Sequence, residues 1–555
     1  MEPAPTSVLR SSSSSSLIGG KTVAQWLSEI KASNLKPTEA KPPQSFRNRV
    51  VQARIYRDRD QFIASIRDDD VCRLAALYHN GDTCTFFKPP SRGSYNICYF
   101  VQFQSSCIER DGDKWVVRVP LAPCLAFGGR SKLESEVATM QLVADRTTIP
   151  IPRIHAYALG DGPELFPSFL ILEYVEGLKL TYADFKKLSD EQRTRLYTSL
   201  ADIYIQLRRL EFPSIGCVTR EPDGFEVRKR TVTIDLNMQE LEGLAPSEIQ
   251  DAYYSASGTL TSANDYIAML LQIADNAFSK GCGTVSEEEG EDHLYHLHLF
   301  RQYAEHWVDR SLDRGPFALI HGDLELFNLL LGDDMNIVSV LDWEWSRVVP
   351  RQLFKPPLWL SNTTIEDMSY GYRYRDYLES LDKFLVVLRV QERERYGSEL
   401  LADEWDKGKQ KSGFMVANAL ENWTAMDWFA SRYINLRVYG GKEDLPERIK
   451  TFIQDDPARK ALIERKVLEW TSYTAQLQQL DAFVSHSKDR ITAAPDGKQK
   501  SASTVQSFLT RLWLWKIPIP LPTQALPFAW GSILVIIAGT SYLFGRRMVR
   551  LLFSH

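Results

Sequence analysis

At 555 residues the chain is too long for one compact core, since a single domain usually holds roughly 100–200 residues, and two lobes with appendages are expected. Hydrophobic residues at 44%, charged residues at 25% and a net charge of -5 describe an ordinary globular protein without the basic surface that a DNA or RNA partner requires. The seven cysteines (Cys72, Cys84, Cys98, Cys107, Cys124, Cys217, Cys282) include no CxxC pair and no zinc-like spacing with histidine, which argues for reduced thiols over a disulfide framework or a metal centre.

Residues 1–45 open with prolines and a serine run at 11–16, a composition that buries too little apolar surface to order itself, and are read as a tail and lead-in. From 83 to 119 apolar and polar residues alternate between two turn-like stretches, Pro89-Pro90-Ser91-Arg92-Gly93 and Asp111-Gly112-Asp113, which predicts an antiparallel meander. Residues 132–144 carry Leu133, Val137 and Met140 at helical spacing. Glu136 falls inside that apolar stripe and Glu134 outside it. Ile149-Pro150-Ile151-Pro152 stops the helix, because proline disfavours helical geometry in the residue before it. A strand at 169–175 then leads through Glu176 and Gly177 into a long region that is mostly helical by pattern.

Strands first and helices afterwards predict an α+β chain with a small antiparallel-sheet lobe over 46–176 and a larger helical lobe over 177–487. Residues 488–525 read as a linker. The uncharged stretch 526–545 is long enough at 1.5 Å per residue to cross a bilayer core of about 30 Å, so a C-terminal transmembrane helix is expected, anchoring the chain with its folded part in the cytosol.

The densest chemistry lies in His321-Gly322-Asp323, Asn328 and Asp342. The apolar runs 329–331 and 337–341 flank Gly332-Asp333-Asp334 and form a plausible hairpin, with Asn328 entering it and Asp342 leaving it. Antiparallel strands bring such ends together, so two oxygen-bearing side chains converge where a hard cation could bind. Asp323, five positions before Asn328, stands just outside that pair, where it can accept a proton from an attacking hydroxyl.

That ordered set resembles the catalytic loop and metal-binding aspartate of the aminoglycoside phosphotransferase and choline kinase-like family, including its fungal members. The resemblance implies a bilobal protein-kinase-like fold and transfer of the γ-phosphoryl of ATP, with Mg²⁺, to a small-molecule hydroxyl. Asp323 would be the base, and Asn328 and Asp342 would hold the metal. Glu136 would pair with a phosphate-binding cation on the preceding strand, where this chain has Arg118 in place of lysine and Lys114 as an alternative on the same strand face. Gly93 and Ser94 would cover the phosphates, and Glu173 and Val175 would lie in the hinge that meets the base.

No element resembling the peptide-docking segment of protein kinases follows Asp342, which favours a small-molecule acceptor; no protein partner is expected. Trp343, Trp345, Trp359, Trp423 and Trp428 could cage a quaternary ammonium, with core packing as the competing reading. Arg118 and the glycine-poor turn also leave open a membrane-tethered pseudokinase that binds nucleotide without efficient turnover.

Overall fold

A computed structural model describes residues 48–492 other than 105–111, 284, 287, 440 and 442. Its first layer is a five-stranded antiparallel sheet in the order β1-β2-β3-β5-β4. The strands are β1 (Cys84–Arg92), β2 (Asn96–Phe103), β3 (Lys114–Pro120), β4 (Ile154–Leu159) and β5 (Ser168–Glu173). The meander is therefore present, but Pro89 and Pro90, expected in a turn, lie inside β1. The strand tolerates them because it is an edge, paired only with β2. Register shifts between Phe86 and Lys88 and between Lys88 and Ser91 absorb the missing donors.

One face of the sheet is covered by two helices that the sequence pattern did not reveal, α1 (Arg49–Ser65) and α2 (Asp68–Leu77). Asn48 caps the first by accepting from the Val50 and Val51 N–H groups. Ile55, Ile63, Val71 and Leu74 join Val101, Val117 and Ile171 of the sheet in one core. The opposite face packs on α3 (Arg130–Arg146), whose Leu133, Val137, Met140 and Val143 share a second core with Leu170, Leu172 and the helical lobe. That helix, expected over 132–144, is the wedge between the lobes.

The second lobe is mainly helical, and its helices Asp190–Arg209 and Gly371–Tyr396 pack on each other. Short strands punctuate it. A sheet of β6 (Glu211–Phe212), β9 (Phe317–Ile320) and β12 (Arg347–Val349) and a hairpin of β7 (Cys217–Glu221) and β8 (Gly224–Lys229) flank a second hairpin, β10 (Leu329–Leu331) with β11 (Ile337–Val340). Trp343, Trp345, Trp359 and Trp423 are 1–3% exposed and Trp428 is half-buried against the core, so the five form no open cage, although Trp343 and Trp345 also lie along the wall between the lobes.

The kinase-like lobes fit the expected fold class, but the transmembrane part of that expectation is corrected. Among the described residues no helix is long and apolar enough to cross a membrane. The stretch 526–545 lies outside the described residues, as do the N-terminal tail and the linker from residue 493 onward. The single-pass anchor, the membrane partner and the membrane localisation therefore lose their support, and with them the tether in the pseudokinase alternative.

Candidate active site

Between the lobes lies a cleft of about 790 Å³, against about 30 and 20 Å³ for two further cavities of the second lobe. Only the first can hold more than a few water molecules. The nine residues expected to serve as base, metal ligands or nucleotide contacts line it: Gly93, Ser94, Arg118, Glu136, Glu173, Val175, Asp323, Asn328 and Asp342; the alternative cation Lys114 does not.

The floor is built by the β9-to-β11 segment. His321 is buried; its Nε2 lies 2.8 Å from the Leu341 carbonyl, and its Nδ1 accepts from the Asp323 N–H at 3.3 Å. Burial pushes the imidazole down to about 4, so at neutral pH it is uncharged and joins the Asp323 loop to the strand that delivers Asp342. Gly322, at φ +85°, has no room for a side chain: a Cβ there would stand 2.0 Å from the Trp345 carbonyl oxygen.

Asn328 donates through Nδ2 to the Asp323 carbonyl at 2.8 Å and to Asp323 Oδ2 at 3.2 Å. Its amide oxygen is thereby left as the acceptor. Asp342 takes the left-handed conformation, φ 60° and ψ 58°, rare for a residue with a side chain and characteristic of sites where local strain aims a functional group. The Asp323 carboxyl is pushed up to about 8, first by burial and then by the charges of Glu325, Asp342 and Glu344, with the Asn328 bond pulling the other way.

The roof is a network of charges. Arg118, 4% exposed, bonds Glu136 through one guanidinium nitrogen and reaches Asp342 Oδ1 and Glu344 Oε2, both at 3.1 Å, through the other. Lys114 points elsewhere, to Glu176 at 3.1 Å, so Arg118 is the strand cation of the cleft. The helical phase separates the two glutamates as expected: Glu136 is 1% exposed, whereas Glu134 pairs with Lys229 of β8. The β1–β2 turn, closed by the Gly93 N–H to the Asn96 carbonyl at 2.9 Å, holds Gly93 and Ser94 over the cleft.

Residues 99–352 match the phosphotransferase enzyme family. The resemblance carried by His321-Gly322-Asp323, Asn328 and Asp342 is thereby borne out, and the match supports a small-molecule phosphotransferase. It begins within β2, so Gly93 and Ser94 lie ahead of it. The chain is 24% identical over 279 residues to "Clavilactone A biosynthesis cluster protein Y" of Ampulloclitocybe clavipes, across 48% of this chain and 64% of that protein. It is 28% identical over 94 residues to "Altered inheritance of mitochondria protein 9, mitochondrial" of Meyerozyma guilliermondii, across 17% of this chain and 15% of that protein. The chain thus spans less than two thirds of either relative. Among solved structures, the streptomycin–ATP ternary complex of APH(2")-IIa aligns at 14% identity and TM-score 0.33, over 63% of this chain and 99% of that one. Macrolide 2'-phosphotransferase type I aligns at 14% and 0.35, over 66% and 95%.

Two residues of this charge network, Lys132 and Glu344, were not picked out from sequence, and both had a signal. Lys132 precedes Glu136 by four positions on one helix face, and Glu344 follows Asp342 by two in a tryptophan-flanked turn. The partners that give them meaning come from distant parts of the chain.

Proposed function

We propose that the protein transfers the γ-phosphoryl of ATP to the hydroxyl of a small molecule in this cleft, with residues 46–176 holding the nucleotide and 177–487 the acceptor. The observation that carries the reading is the meeting of Asp323, Asn328, Asp342, Arg118 and Glu136 in one large cavity. Val116, Met140, Leu172 and Leu341 supply apolar surface for the base beside Glu173 and Val175 of the hinge. Arg118, kept charged by three carboxylates, offers a guanidinium to the phosphates, and the Gly93-Ser94 turn covers them.

The donor set fits Mg²⁺: a carboxylate on Asp342 with its side chain 44% exposed to the cleft, and an amide oxygen on Asn328 whose NH₂ is already committed. Held by Asp342 and Asn328, Mg²⁺ would supply positive charge against the phosphates and would favour the ionised form of the nearby Asp323 carboxyl. Asp323 then accepts the proton of the acceptor hydroxyl as the oxygen attacks phosphorus, and Asn328 fixes the orientation of that carboxylate. His321, neutral and bonded on both sides, holds the loop without joining the proton transfer.

Titrating a fluorescent ATP analogue with and without Mg²⁺ tests the metal assignment. Asp342→Ala should remove the Mg²⁺ dependence of binding and spare the weaker metal-free component. An unchanged Mg²⁺ response in that variant would refute the assignment.

A further inference from the structure

Glu344 gathers three donors on one carboxylate oxygen. Its Oε2 accepts from Asn96 Nδ2 at 2.6 Å, from Arg118 at 3.1 Å and from Lys132. These donors come from the first residue of β2, the middle of β3 and the first turn of α3, elements that otherwise meet only through the sheet and its helix. Its side chain is 9% exposed, against 44% for Asp342 two residues before. Glu344 is therefore screened where Asp342 is open, and belongs to the supporting frame of the cleft. Lys132, 6% exposed, also lies over the Trp345 ring at 5.0 Å, which fixes the ammonium from a second side.

The charges carry the rest. Arg118 and Lys132 face three carboxylates, Glu136, Asp342 and Glu344, and a single guanidinium nitrogen of Arg118 is shared between Asp342 and Glu344. That nitrogen carries two hydrogens, so Glu344 and Asp342 can each accept from it, and the guanidinium is held between them. A weaker Glu344 would leave Arg118 drawn more fully onto Asp342, which then competes with a cation for the same carboxylate. The bond to Asn96 ties the other end of the frame to the turn that carries Gly93 and Ser94, because Asn96 both closes that turn with its carbonyl and reaches Glu344 with its amide.

On the phosphotransferase reading above, we propose that Glu344 is a positioning residue. Clamped by Lys132, it shares Arg118 with Asp342 and fixes the β1–β2 turn, so that the phosphate-covering turn and the metal-binding aspartate are set together for the magnesium–nucleotide complex. Its role is exerted through Arg118 and Asn96.

The test is Mg²⁺-dependent binding of a fluorescent ATP analogue to the full chain, measured for wild type, Glu344→Gln and Asn96→Ala, with thermal midpoints recorded in parallel. Glu344→Gln keeps the shape and removes the charge; it should raise the Mg²⁺ concentration for half-maximal binding by roughly tenfold, the worth of one hydrogen bond to a charged group, and leave metal-free binding near wild type. Asn96→Ala leaves every charge in place. It should weaken nucleotide binding at saturating Mg²⁺ without moving the Mg²⁺ midpoint. Mg²⁺ curves for both variants that superimpose on a responsive wild type, whatever their thermal midpoints, overturn the positioning role and leave the phosphotransferase reading intact. A wild type that binds nucleotide no better with Mg²⁺ than without overturns that reading and this role together.

Discussion

Replacing Arg118 by methionine tests the network that ties the lobes. The guanidinium is buried and serves Glu136, Asp342 and Glu344. The three losses are unequal. Asp342 is partly open to water, and Glu344 keeps Asn96 and Lys132, whereas Glu136 at 1% exposure loses its bond to Arg118 with no solvent to replace it. Breaking one side of a buried ion pair costs about 3–5 kcal/mol, and the cost should fall at Glu136. At roughly 2–4 °C per kcal/mol for a large domain, the midpoint should drop by on the order of 10 °C. Arg118→Lys keeps the charge but has no fork to span three carboxylates, so it should fall between wild type and methionine. Glu136→Gln combined with Arg118→Met should recover part of the loss, because the stranded charge is gone. Thermal unfolding by circular dichroism reads all four proteins. A methionine variant within about 1 °C of wild type would refute the reasoning.

Gly322→Ala should give little folded protein or a midpoint several degrees lower, since a β-carbon at φ +85° meets the Trp345 carbonyl; a normally stable variant would show that the loop has slack. A second knot, away from the cleft lining, should contribute to the pH dependence of stability: Asp427 Oδ1 lies 2.8 Å from both His293 Nδ1 and His296 Nδ1. Burial works against charging His293, but Asp427, Glu289 and Asp292 raise its pKa overall, while Asp427, despite burial, is held down at about 2 by the two imidazoles. The histidine contribution is complete below the ordinary value of 6.5 and fades as pH rises through the raised folded value. The aspartate contribution is complete above 3.8 and fades as pH falls toward 2. The midpoint difference between wild type and Asp427→Asn should therefore be largest at mildly acidic pH and shrink on either side; a difference that ignores pH would contradict the assignment.

Strands β1–β3 and β5, α3 and the β10–β11 hairpin were legible because each writes its burial into a local period, and because turn residues mark the ends, whereas β4 and the short strands β6–β9 and β12 were not read. The reach of β1 through Pro89 and Pro90 was hidden, since only its edge position makes prolines tolerable there. Helices α1 and α2 were hidden for another reason. Their buried faces are interrupted by charges, as with Arg59 and Asp70, both buried and paired. In the site, Asp323, Asn328 and Asp342 stand within twenty residues and are read as one motif. Glu344 gains its meaning from Asn96 and Lys132, more than two hundred residues away, and no periodicity records that meeting. The tryptophans after Asp342 suggested a cage but fill the core instead, since large aromatics contribute most where they are fully buried.

The central claim is that Asp323 takes a proton from a small-molecule hydroxyl during phosphoryl transfer, and product formation tests it most directly. Purified wild type and Asp323→Asn are incubated with magnesium ATP and a panel of hydroxyl-bearing small molecules. Mass spectrometry follows the gain of one phosphoryl group. The account predicts a phosphorylated product for at least one acceptor with wild type. Asp323→Asn should bind the nucleotide as tightly and yield less product by at least roughly a hundredfold, the lower range for loss of a general base. Turnover in Asp323→Asn within a fewfold of wild type on that acceptor would contradict it.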